Sequence, residues 1–257
     1  MQIRLLTENL ASEMPWLAEW GFSAWIEHDG ACILFDTGFS EVWVRNARHA
    51  GIDLNSVDVI ALSHFHRDHT RGLLSHPFKD RKRLICHPRV LKAVLETEDH
   101  QILDDYANIQ RTLSADFEIE ASRDAVEIAP GAFFLGEIPR VTTFERGAFF
   151  DDPMPDDTAL AFRTDRGAVV VSGCSHAGIC NICEHAKTIT GQDLHAVLGG
   201  FHLLHDEDPP VEATMSYLTD QGAQHLMPMH CIDFDIQVRL AELPGYSRPG
   251  AGSLIKL

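Results

Sequence analysis

Basic residues are scarce in this chain: 21 Lys and Arg stand against 38 Asp and Glu, a formal charge of −17. That shortage argues against a broad phosphate-binding face, because nucleic-acid affinity rests on neutralising phosphates with Lys and Arg. At most it leaves a local pocket for one small anion, and the acid excess itself serves solubility. Long apolar runs are missing as well. The longest, such as Ala168-Val169-Val170-Val171, fall far short of the roughly 20 residues that span a bilayer, so neither a nucleic-acid nor a membrane partner is expected. The first residues reach Glu8 and Asn9 before any signal-like apolar core develops, which points to the cytoplasm. Six cysteines in 257 residues make no small-scaffold disulfide framework, and a reducing compartment favours free thiols. No internal repeat and no low-complexity linker stands out.

The composition is 45% hydrophobic and 23% charged, that of an ordinary globular protein with a sizeable core. We read one domain over residues 1–257, with an inserted segment at about 96–116 that suits a surface helical hairpin. Strands are expected at Ile3–Thr7 and at Phe22–His28 and Ala31–Phe35, the latter two joined by Asp29-Gly30, a favoured hairpin turn. Glu8 to Trp20 reads as a loop, either a flap over a site or a segment tucked on the core. Ser40–Ala50 suits a helix, Val57–Leu62 a buried strand, and Leu84–Cys86 a strand before a helix with Val90, Leu91, Val94 and Leu95. Further on, strands are expected at Val126–Ile128, Phe133–Leu135, Val141–Phe144, Ala159–Phe162, Ala168–Val171, Leu194–Leu198 and Gln224–Met227. Helices are expected at Ile179–Ile189 and from Pro209-Pro210 onward. Strands arriving as hairpins in each half, with helices between, suggest two sheets with helices outside.

Among 15 histidines, three sit with an aspartate in one short loop, His64-Phe65-His66-Arg67-Asp68-His69, directly after an apolar strand. In extended backbone positions i and i+2 point to one side, so His64 and His66 can reach one cation together. Asp68 and His69, adjacent where the chain turns, can address a second. Imidazole and carboxylate are the ligands of Zn²⁺, Mn²⁺ or Fe²⁺ hydrolytic centres. Two such ions roughly 3.5–4 Å apart polarise a substrate oxygen and generate a hydroxide nucleophile. Asp68 also suits a general-base role. Thr70 and Arg71 are either contacts for an anionic substrate or surface residues. Cys180 and Cys183 form a lone C-x-x-C on a helix, either core packing or a separate zinc or redox pair. The Asp206-Glu207-Asp208 run suits a helix N-terminus.

The His64-x-His66-x-Asp68-His69 loop resembles the signature of the metallo-β-lactamase superfamily, and Leu34-Phe35-Asp36-Thr37-Gly38 resembles its first motif. The resemblance implies an α+β fold, a four-layer αββα sandwich, with Asp36 supporting the metal loop. It implies that His176 joins His64 and His66, and that His230 joins Asp68 and His69, around two divalent metal ions, zinc first and manganese or iron next. The family's bridging carboxylate is replaced at Gly173-Cys174. Cys174 either ligates or packs, Asp157 is an alternative bridge, and a water or hydroxide bridging alone is a third. His202, after Gly199-Gly200 where backbone can approach a ligand, is read as a substrate-contacting or acid/base group, or as a structural histidine. Gly173-Cys174-Ser175-His176-Ala177-Gly178-Ile179 and Gly199-Gly200-Phe201-His202-Leu203 are similar to the branch of archaeal dihydropterin-methyl-ribofuranosyl-aminobenzene phosphate synthases. The expected activity is metal-dependent hydrolysis of a small phosphorylated or heteroaromatic molecule. The alternatives are a transferase that releases pyrophosphate from a dihydropterin diphosphate and a non-catalytic metal or ligand sensor.

Overall fold

Residues 1–92, 97–205 and 209–257 are described by the computed structural model. Of the helix expected with Val90, Leu91, Val94 and Leu95, Val90–Lys92 forms one 3₁₀ turn, while Val94 and Leu95, like the acidic run Asp206-Glu207-Asp208, lie outside the described residues. The chain divides into two units, Met1–Arg123 with Gly250–Leu257, and Asp124–Pro249.

In the first unit, β1 (Gln2–Thr7), β2 (Ser23–His28) and β3 (Ala31–Phe35) pair antiparallel. The β2–β3 turn is made by Asp29 at φ 46° and Gly30 at φ 83°, the left-handed pair that a tight hairpin demands. From β3 the sheet turns parallel, through β4 (Val59–Ala61), β5 (Lys82–Cys86) and β6 (Phe117–Ala121). Every residue of β4 is buried, as expected of a parallel strand covered on both faces. The far edge is closed by β13 (Leu254–Lys256), antiparallel to β1. Helix α1 (Val42–His49) buries Trp43 and Ala47, and α2 (Arg67–Thr70) is a single turn. The segment expected as a helical hairpin is instead one 17-residue helix, α3 (His100–Asp116). Asp99 caps it by accepting from Gln101 N and Ile102 N, and Tyr106, Ile109 and Leu113 fill its buried face.

The second unit repeats the plan with different lengths. Strands β7 (Val126–Ala129), β8 (Ala132–Phe134), β9 (Ala159–Thr164) and β10 (Gly167–Ser172) form an antiparallel meander, and β10, β11 (Leu194–Gly200) and β12 (His225–Met229) are parallel. The crossovers are α4 (Ile179–Thr190) and α5 (Val211–Gln221), with α6 (Phe234–Leu240) after β12. One core holds Val170, Ile182, Val197, Phe201, Leu218 and Leu240, each fully buried apolar side chain contributing about 1.5–3 kcal/mol.

Val141–Phe144 is not a strand. Its β-branched residues suggest one, but the N–H groups of Val141 and Thr142 both donate to Asn181 Oδ1 at 2.8 Å. A side chain of α4 thus takes the bonds that a strand would give to a neighbour.

Candidate metal centre

In the first unit the site begins where two parallel strands end. Because β3 and β4 run the same way, Asp36 and Ser63 leave the sheet at one edge, the carboxyl ends where α/β proteins place their ligands. Asp36, fully buried at φ 55°, accepts from Ser63 N at 2.8 Å through Oδ1. Through Oδ2 it accepts from Ser63 Oγ and His69 Nδ1, both at 2.7 Å. The Ser63 hydroxyl proton is committed to Asp36, so its oxygen accepts from His64 Nδ1, 2.8 Å away. Both rings are thereby held with a proton on Nδ1 and a lone pair on Nε2.

Those lone pairs face other donors of the same loop. His64 Nε2 lies 3.0 Å from His66 Nδ1, close to the roughly 3.3 Å expected between two nitrogens bound at about 2.0–2.1 Å to one tetrahedral zinc. The His64 and His69 rings are 4.3 Å apart, and His69 Nε2 is 3.6 Å from Asp68 Oδ2. His64 and His69 are buried, while His66 and Asp68 are partly open. His64 with His66, and Asp68 with His69, therefore each offer a pair of donors that fits a share of a divalent cation's shell, with Asp36 behind them. A carboxylate behind the imidazole, as Asp36 is behind His69, orients the ring and raises its basicity.

Backbone contacts fix the loop. Thr37 N donates to His69 O at 2.8 Å and Phe22 N to Asp68 O at 3.3 Å. A Cβ at Gly72 would stand 1.9 Å from Thr37 O, so only glycine fits there. Thr70 Oγ1 turns back to His66 O at 3.0 Å. Arg71 stands 2.9 Å from Asp105 and donates to Phe39 O. Both residues brace the loop.

In the second unit three neighbouring parallel strands end at one edge. Cys174-Ser175-His176 follow β10, His202 follows β11, and His230-Cys231 follow β12. Ser175, His202, His230 and Cys231 all have positive φ, at 69°, 50°, 33° and 40°, a costly conformation that gathers at functional sites. Cys174 Sγ lies 3.0 Å from Cys231 Sγ and 3.4 Å from His202 Nδ1. The His176 and His202 rings are 4.0 Å apart, with Phe149 against both. Gly199 and Gly200 do not form a ligand-facing loop as expected, because both belong to β11. A Cβ on Gly199 would meet Ser172 O at 1.9 Å, and one on Gly200 would meet Gly173 O at 2.4 Å. Their smallness serves strand-to-strand approach.

Asp157 stands apart from the Cys174–His202–Cys231 group. Its Oδ2 accepts from Ala177 N at 2.8 Å, under the turn that carries His176. Burial pushes its pKa up to about 7 against the lowering effect of that hydrogen bond.

A cavity of about 330 Å³ opens beside His176 and His202, walled by Phe144–Ala148, Phe201 and Pro209-Pro210. Its wall is built by Glu145, whose carboxylate accepts from Cys180 N and Asn181 N at 2.8 Å, favourable at the N-terminus of α4. Arg140 Nε donates to Gly147 O at 3.1 Å. Ser63, Arg140 and Asn181 contribute through contacts that no sequence motif marks; the one signal is Ser63 standing directly before the first histidine. Cys180 and Cys183 face the core, and burial raises both thiols, so the C-x-x-C is packing.

A family model described as Metallo-beta-lactamase superfamily matches residues 21–208. The 7,8-dihydropterin-6-methyl-4-(β-D-ribofuranosyl)-aminobenzene-5′-phosphate synthase of Methanocaldococcus jannaschii is 31% identical, over 100% of this chain and 96% of its own. Among solved structures, Tm1679, described as a metal-dependent hydrolase of the β-lactamase superfamily, superposes with a TM-score of 0.80 at 26% identity, covering 100% of this chain and 99% of its own. Zn²⁺-bound PqqB from Methylobacterium extorquens superposes with a TM-score of 0.62 at 14% identity over 100% of both chains, a likeness of fold. The α+β class expected from the sequence is the fold of these proteins.

Proposed function

Since the chain belongs to the metallo-β-lactamase superfamily, we propose that it is a metal-dependent hydrolase of a small phosphorylated or heteroaromatic molecule. The observation that carries this is the Asp36–Ser63 relay, which holds His64 and His69 with their Nε2 lone pairs directed at other donors of the loop. A protein that only packed these rings would not need both in one tautomer. The proposed cofactors are two divalent ions, zinc before manganese or iron, held by His64, His66, Asp68 and His69, with His176 and His230 added by the family's pattern. When bound, such ions supply Lewis-acid polarisation and water activation at neutral pH.

The chain's own residues do the rest. Asp68, partly open to solvent, accepts and returns a proton. His202 and Phe144–Ala148 line the cavity and orient the substrate there.

The full-length identity to an archaeal synthase favours one second reading, transfer of a dihydropterin-methyl group to an aminobenzene ribotide with loss of pyrophosphate. Both readings are tested by metal analysis of purified protein with phosphomonoester, phosphodiester and lactone substrates and with the pterin diphosphate pair. Turnover of an ester or lactone supports the hydrolase, and turnover of the pair alone replaces it with the synthase. Unchanged metal content in a His66→Ala, Asp68→Asn double variant would refute the site. Metal binding with no turnover in any class would favour a sensor.

A further inference from the structure

We propose that Asp105, on the helix α3 between β5 and β6, is a positioning residue for the histidine–aspartate loop. Its carboxylate holds the guanidiniums of Arg67 and Arg71 and so leaves Asp68 free for a cation. The inference rests on the reading of that loop as a metal site.

Two arginines stand within the loop's reach. Arg67 lies between His66 and Asp68, and Arg71 comes two residues after His69. An arginine stays charged at every ordinary pH, and a fixed positive charge beside a divalent-ion site opposes binding by Coulomb repulsion. Carboxylates are also the partners that guanidinium fits best, through two parallel N–H bonds. Released, Arg67 would pair with its neighbour Asp68 and compete with the ion for that oxygen.

Asp105 answers both demands at once. Its Oδ2 stands 2.9 Å from Arg67 Nη1, and its Oδ1 stands 2.9 Å from Arg71 Nε. One carboxylate is thus divided between two arginines. Its side chain is 9% exposed, and those of Arg67 and Arg71 are 25% and 28% exposed, so water screens these pairs less than it screens surface ones. Both guanidiniums also lie over a single ring, Phe39, at 5.7 and 4.7 Å from its centre, a cation–π attraction that fixes their direction. The next residue of α3, Tyr106, rests against Phe65 with ring centres 5.8 Å apart, and Phe65 separates His64 from His66. Helix α3 therefore meets the loop on both sides of Asp68 and His69. Ile109 and Leu113, one and two turns further on, bury plain apolar side chains.

The test measures Zn²⁺ affinity of the full-length protein by chelator competition, and records the Co²⁺ d–d absorption, which reports the geometry of the metal's shell. Asp105→Asn keeps the size and removes the charge. It is expected to weaken Zn²⁺ binding about 10–100-fold, the range for losing a group that supports a ligand, and to shift the Co²⁺ bands. Adding Arg67→Ala to Asp105→Asn should recover most of that loss, because the competing cation is gone; a merely structural defect would deepen with a second truncation. Ile109→Ala, which loosens the same helix away from the arginines, should keep wild-type affinity and bands. Wild-type affinity in Asp105→Asn, no recovery in the double variant, or an equal loss in Ile109→Ala would each overturn the proposal and leave the metal site standing. Wild-type Zn²⁺ affinity in His66→Ala, Asp68→Asn would overturn the site itself, and this inference with it.

Discussion

Asp36 accepts three hydrogen bonds on two oxygens while fully buried, and each bond has a separate use. Ser63 N shapes the loop, Ser63 Oγ passes the carboxylate's influence to His64, and His69 Nδ1 fixes a tautomer. Replacing Asp36 with Asn keeps the size but puts an amide where His69 and Ser63 need acceptors. Metal affinity is expected to fall about 10–100-fold, the usual effect of losing a carboxylate behind a ligand histidine. Competition with a chelator measures it, and wild-type affinity in Asp36→Asn would contradict the relay. Asp157 gives a pH signature. Its pKa is raised to about 7 by burial, above its ordinary value, so the folded state holds a proton that the unfolded chain releases sooner. The group therefore opposes folding increasingly as pH climbs from about 4 to about 7. In metal-free protein Asp157→Asn should flatten the stability profile across that window, and parallel profiles would refute it. The sequence made Asp36 and the three loop histidines readable through their spacing. It hid the Ser63 relay, because a hydroxyl's direction depends on β3 and β4 ending side by side.

Among elements, α4 shows how a loop is held by a helix. Glu145 accepts from two N–H groups at the N-terminus of α4 and from Thr142 Oγ1, while Asn181 binds the same loop from the helix side. Glu145→Ala leaves those buried donors without their acceptor, a loss of about 3 kcal/mol. At about 2–4 °C per kcal/mol for a chain of this size, melting should drop by roughly 6–12 °C, and calorimetry decides; a drop under about 2 °C would mean the cap is dispensable. Elements with clear periodicity or turn chemistry were legible, including the β2–β3 hairpin, the buried β4 and the helix α4. Val141–Phe144 misled because strand-forming residues are bonded to Asn181. The strand β6 and the helix α6 carry no clear pattern in the sequence, and α3 carries a weak one because only one narrow stripe of it is buried.

For the whole molecule, cation binding adds to stability by mass action. With free metal at 100 times its dissociation constant the native state gains about 2.7 kcal/mol, so a chelator should lower the melting temperature by about 5–10 °C. Identical melting curves with and without chelator would count against the metal centre. The charge of −17 and the two-sheet plan could be foreseen from composition and strand order. The division at Arg123 and the return at Gly250 could not, since no linker-like composition marks either point.

That return sets a timetable. Strand β13 pairs Ile255 with Ile3, yet every residue of the Asp124–Pro249 unit is synthesised between those partners. At roughly 5–20 residues per second, the ribosome takes about 6–25 s over that stretch. During this time the outer edge of β1 is exposed to any other strand in reach. The interval invites a chaperone or a mispairing, and translation speed through the second unit governs how long the first must wait to be finished.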